Sequence, residues 1–230
     1  MKDLPCPGVP LGPWLYSLTV PGGCRIGGDG DGVPEGTFGR RVGDVHIDET
    51  IEKATYTGTG LSGEEFEACV FRSCDFSEAD LAEALLTECR LIDCNLTMTK
   101  VGQAGLRNVE FVNCKVVGVD FSACLPFLFA VSFEKCNLEY SHFIKCRMKK
   151  TLFKECVLRE VDFTEADLTD ASFPGCDLSN TVFSRTNLTR ADFRTARNYA
   201  LDLDDNMVKR AKFALSGVAG LLRKYELALE

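Results

Sequence analysis

The chain has 230 residues, 45% of them apolar and 26% charged, at a mean hydropathy of -0.02, a balance that argues against an intrinsically disordered protein and against membrane spans. A formal net charge of -8 with a pI near 5.0 argues against direct nucleic-acid binding, because neutralising phosphates takes clustered lysine and arginine. A basic protein partner suits such a surface better.

Residues 1–48 hold more than half of the 20 glycines and most of the 8 prolines and show neither helical nor strand periodicity. They cannot bury enough surface to offset their ordering entropy, so this segment reads as a disordered tail. The run Gly27 to Gly32 resembles a calcium loop, but Val33 and Arg40 stand where oxygen ligands are required. The apolar stretch from Trp14 to Val20 is broken by flanking Pro10, Pro13 and Pro21 and makes no convincing secretory signal. The 12 cysteines are therefore expected as reduced thiols in a cytoplasm.

From about residue 51 large apolar residues recur at every fifth place, from Tyr56, Leu61, Phe66, Phe71, Phe76 and Leu81 to Phe121. The register then slips by two residues and resumes from Phe133 to Phe193. Two places before most of these stands a small residue, such as Cys69, Cys74, Ala79, Ala84, Ser141, Thr151 or Ala166. A helix wants apolar spacings of three and four, and a strand wants two throughout. Spacings that alternate two and three keep a pair of side chains on one face of extended backbone and then demand a corner. Cys74, Cys94 and Cys114 stand 20 apart, as do Cys136, Cys156 and Cys176, so four pentapeptides close one coil. In the second half Phe and Leu alternate, which on four faces gives two opposed Phe columns and two opposed Leu columns. The expected fold is all-β: a right-handed square (quadrilateral) parallel β-helix over residues 49–214, in which the 27 repeats from Tyr56 to Phe193 make between six and seven coils, with a short C-terminal α-helix cap over 215–230.

The slip covers Ala123 to Phe129 and puts Pro126 where Leu or Phe belongs. A bulge or small loop is expected there, with Phe127 or Phe129 either exposed or repacked into the core. After it comes a basic belt of Lys145, Arg147, Lys149, Lys150 and Lys154. Cys69, Cys74, Cys89 and Cys94 could be drawn as a thiolate metal site. Because Ala, Thr, Ser and Val fill the same places elsewhere, small buried volume is the better account. No metal, cofactor or catalytic residue is assigned. The two histidines, His46 at the tail junction and His142 just before Phe143, leave no base for a Ser or Cys nucleophile relay, and His142 is expected to face solvent. Asp75, Asp80, Asp162, Asp167, Asp177 and Asp192 recur just before the large inward residue, where they can hydrogen-bond local backbone at turns. Past Phe213, the stretch from Ser216 to Tyr225 has a helical apolar pattern in Val218, Leu221, Leu222 and Tyr225.

The units Ala79-Asp80-Leu81, Ala166-Asp167-Leu168 and Ala191-Asp192-Phe193 resemble the A(D/N)LXX consensus of the pentapeptide-repeat family, over about 160 residues. The terminal stretch resembles that of the Qnr-like and mycobacterial fluoroquinolone-resistance branches. That resemblance implies a protein that is not an enzyme, a homodimer through Val218, Leu221, Leu222 and Tyr225, and a DNA-mimicking association with gyrase. The long loops of many Qnr proteins are missing here. The carboxylates assigned to partner binding are Glu78, Asp80, Glu83, Asp162, Asp167 and Asp170. The alternative is a general adaptor for another protein.

Overall fold

In the computed structural model, residues 43–58 and 60–227 are described below. The glycine-rich run, Val33 and Arg40 lie outside them, as do Cys6 and Cys24. The nine strands are β1 (Val45–Ile47), β2 (Thr50–Glu52), β3 (Glu65–Glu67), β4 (Val70–Arg72), β5 (Leu85–Thr87), β6 (Arg90–Ile92), β7 (Gly105–Val112), β8 (Ala130–Glu134) and β9 (Phe153–Lys154). All pair in parallel. Phe66 of β3 faces Leu86 of β5, and Phe71 of β4 faces Leu91 of β6, so the offset is one coil. Past the break Phe111 pairs with Phe133, two residues longer, and Phe133 then pairs with Phe153 at the original offset. The remaining faces are isolated parallel bridges with the same arithmetic, as in Asp75 to Asn95 and Asp162 to Val182.

Each coil has four faces, and one column of inward residues runs Ile51, Phe71, Leu91, Phe111, Phe133, Phe153, Phe173, Phe193 and Phe213. It extends past both ends of the six to seven coils counted from the repeat, because Ile51 and Phe213 continue the register. The expected Phe columns are present. Phe153 stacks on Phe173 with centroids 5.1 Å apart, and Phe143 on Phe163 at 5.2 Å. The two columns meet edge-on across the axis, as in Phe153 and Phe163 at 5.7 Å, an arrangement aromatic quadrupoles favour.

The corners are where the chain asks most of its backbone. At most corners the second residue after the inward one takes a left-handed conformation, such as Ser73 (φ 52), Glu78 (φ 56), Glu83 (φ 60) and Lys150 (φ 61). At many corners a type II turn closes with a hydrogen bond, for example Ala79 N–H to Phe76 C=O at 3.0 Å. The Asp before the inward residue supports the turn: Asp75 Oδ1 accepts from Ser77 N–H at 2.9 Å and Asp162 Oδ1 from Thr164 N–H at 2.8 Å.

At the break, Pro126–Leu128 forms a 3-10 turn. Phe127 is 76% exposed, while Phe129 is buried between Phe121 and Phe143. At the C-terminus, 3-10 turns flank α1 (Val218–Leu222). It lies over Tyr199, close enough that any side chain at Gly217 or Gly220 would strike that residue. Leu221 packs against the core, and Lys224 Nζ binds Asp202 at 2.5 Å and also Asp204.

Candidate functional site

The inside of the coil is dry chemistry. The ten described cysteines are all buried and unpaired. The places they share with Thr and Ser ask for more than small volume. Cys114 Sγ–H donates to Leu91 C=O at 3.3 Å, Cys136 to Phe111 C=O at 3.4 Å, and Thr99 Oγ–H to Phe76 C=O at 2.8 Å, each reaching a carbonyl of the preceding coil. Burial pushes the Cys89 thiol up to about 11 and Cys146 up to about 12, which makes them poor nucleophiles. Among the described residues no group of three or more His, Cys, Asp or Glu is placed to hold a metal ion. No described helix is long and apolar enough to cross a membrane.

The outward side chains divide by coil. Glu78 and Glu83 stand at the two corners flanking the face that carries Asp80, and none of the three makes an ion pair. Asp162 lies on that same face far along the rod, with Lys100, Asp120 and His142 in the column between. His142 is exposed there. Asp167 is on the next face and binds Lys149 at 3.3 Å; Asp170, at the following corner, is held by Arg190 through Nε at 2.6 Å. Burial is the largest influence on Asp167 and raises it, but hydrogen bonds from the Thr169 hydroxyl and amide, and after them Lys149, hold its carboxyl below the usual range; on Asp170 the Arg190 hydrogen bond is the largest influence and lowers it. So the structure brings Glu78, Asp80 and Glu83 together and sets the other three apart. Of the terminal residues, Val218 and Tyr225 are exposed, Leu222 is half-buried, and Leu215, 93% exposed, joins them.

A feature the repeat pattern did not single out lies beside the break. Arg147, Lys149 and Lys150 line a groove of about 410 Å³ with Asn108, Phe129 and Thr151. The slip and the basic belt were both visible in the sequence, but their juxtaposition depends on how the inserted residues curl.

A parallel coil of this kind, with four faces closed by stacked ladders around an apolar interior, defines a class of solenoid built from short stacked repeats. The family model described as a pentapeptide repeat region matches residues 64–143, 127–197 and 146–221, and the chain belongs to that family. No curated protein matches it. Among solved structures it is similar to a trypsin-treated variant of QnrB1, a plasmid-mediated fluoroquinolone resistance protein, at 19% identity and a TM-score of 0.62, over 81% of this chain and 98% of that one. It is also similar to HetL, a pentapeptide repeat protein involved in heterocyst differentiation regulation from the cyanobacterium Nostoc, at 18% identity and a TM-score of 0.52, over 77% and 90% of the two chains. At such identities the likeness is one of fold.

Proposed function

We propose that this protein is a non-catalytic cytoplasmic binding rod whose acidic N-terminal coils imitate a DNA segment and occupy the cationic DNA-binding saddle of a type II topoisomerase such as gyrase, protecting it from fluoroquinolones. The observation that carries this reading is the group of Glu78, Asp80 and Glu83, free of ion pairs on a backbone held by a continuous ladder. Carboxylates fixed in advance bind at little ordering cost. Asp162, Asp167 and Asp170 serve less well, since two of them are already paired. A head-to-head dimer through Leu215, Val218, Leu222 and Tyr225 would put the two acidic ends at the far tips.

The test is gyrase supercoiling under a fluoroquinolone across a titration of the protein. Wild type should restore supercoiling, and raised salt should weaken the effect. Glu78→Lys with Glu83→Lys should raise the amount required about tenfold. Lysine already occupies the same left-handed corner at Lys145 and Lys150, so folding is preserved. Light scattering should report a dimer that Leu215→Ser with Tyr225→Ser makes monomeric. If there is no protection and no binding to gyrase, the general adaptor is the better account, as the neutralised Asp167 and Asp170 favour.

A further inference from the structure

The break opens the main-chain ladder on one side of the rod. In a regular coil, the segment around Asp167 shows what each face normally makes. Asp167 N–H donates to Cys146 C=O at 2.9 Å, Asp167 C=O accepts from Met148 N–H at 2.8 Å, and Thr169 C=O accepts from Lys150 N–H at 2.9 Å. One coil earlier the equivalent groups are Arg147 N–H, Arg147 C=O and Lys149 C=O. None of these has a hydrogen-bond partner, because the chain opposite them curls into the 3-10 turn at Pro126–Leu128 instead of running extended. The groove lies along this gap.

A side chain repeats the signal. Thr99, Ser141, Thr181 and Thr186 each donate a hydroxyl to a carbonyl of the preceding coil. Thr151 occupies the same kind of place, is only 6% exposed, and its hydroxyl has no such bond; it lines the groove instead. Around the opening, Arg147 and Lys150 make no ion pair, and the exposed Lys149 to Asp167 contact at 3.3 Å is of the weak kind.

We propose that this opening is a docking site for an extended acidic peptide segment of a partner protein, which enters as an added strand. Its N–H groups meet Arg147 C=O and Lys149 C=O, a carbonyl meets Arg147 N–H, and its carboxylates lie against Arg147, Lys149 and Lys150. Strand addition to an unpaired edge takes affinity from main-chain bonds and selectivity from the side chains beside them. Charge complementarity selects the acidic partner. A phosphate or a nucleic-acid backbone fits poorly, since two of the three unpaired groups are acceptors and need donors that a phosphate lacks.

The experiment uses the full chain and a fluorescein-labelled peptide of alternating glutamate and valine, read by fluorescence anisotropy. Binding is expected, with slowed hydrogen exchange at the Arg147 amide. Methylating alternate peptide nitrogens should weaken it about tenfold, as each removes a donor. Arg147→Gln with Lys150→Asn should weaken it by a similar factor of about ten, and since both side chains are exposed and Asn already sits at left-handed corners such as Asn113 and Asn180, the variant folds. Absence of binding overturns the proposal. So does equal binding of the methylated peptide, or equal binding of a lysine-valine peptide. Tighter binding of a thymidine oligonucleotide would mark a polyanion patch and likewise overturn it.

Discussion

Replacing Phe153 by alanine tests the claim that stacked aromatic columns hold this coil together. The ring is fully buried, with Phe133 5.4 Å below, Phe173 5.1 Å above, and the edges of Phe143 at 6.2 Å and Phe163 at 5.7 Å. Truncating a buried Phe to Ala costs about 3–5 kcal/mol through lost transfer energy and the cavity left behind. Each aromatic pair adds about 0.5–1.5 kcal/mol beyond burial, and four are lost together, so the loss belongs near the top of that range. The coils above and below are pinned by their own ladders and cannot collapse into the space. With a urea m-value of about 2–3 kcal/mol per molar, the midpoint should fall by about 2 M at unchanged m. Lys150→Asn, an exposed corner change, should leave the midpoint in place. A loss from Phe153→Ala below about 1 kcal/mol, or one equal to the control, would refute the column account.

Three further outcomes follow from the same geometry. Ser73, exposed at φ 52, should tolerate glycine with a gain of about 0.5–1 kcal/mol, whereas Ser73→Val should lose about 1–2 kcal/mol by putting a β-branched residue in the left-handed region; the order of the urea midpoints decides it. Tyr199→Phe should stabilise the cap by about 1 kcal/mol, because the Tyr199 hydroxyl is buried without a partner, and a lower melting temperature would show that the hydroxyl is satisfied in solution. The thiols Cys89 and Cys146 are raised by burial from 9.0 to about 11 and about 12. The unfolded chain therefore releases their protons first, so their contribution is intact below pH 9 and is lost as pH rises toward those values. Urea midpoints compared on the two sides of that window should fall with pH, and a fall just as large in Cys89→Ala as in wild type would contradict the assignment.

Much of this was legible because a five-residue period is a one-dimensional signal that leaves little choice of fold. Cys74, Cys94 and Cys114 repeat one environment coil after coil, so their spacing alone closes the square, and the alternation of Phe153, Leu158, Phe163 and Leu168 places the aromatic columns. The same arithmetic would have found His46, which stands one coil before Phe66 and stacks on it at 4.8 Å, although its polar type hid it in the tail. It would also have set Arg190 one coil after Asp170, a pairing that neutralises a carboxylate assigned to a partner. The left-handed corners carry no such mark, since Glu, Lys, Met and Tyr all occupy them and the ladder on both sides holds the strain. What only the tertiary structure decided lies at the break and at the end of the rod. Sequence marks that Pro126 interrupts the period, but it is the curl of the inserted residues against fixed coils that buries Phe129, exposes Phe127 and leaves Arg147 and Lys149 without main-chain partners. Likewise the pattern of α1 names its apolar residues, while the Tyr199 ring beneath it determines that Leu221 packs inward and Leu215, Val218 and Tyr225 remain outside, because which face of a short helix is buried depends on the surface it meets.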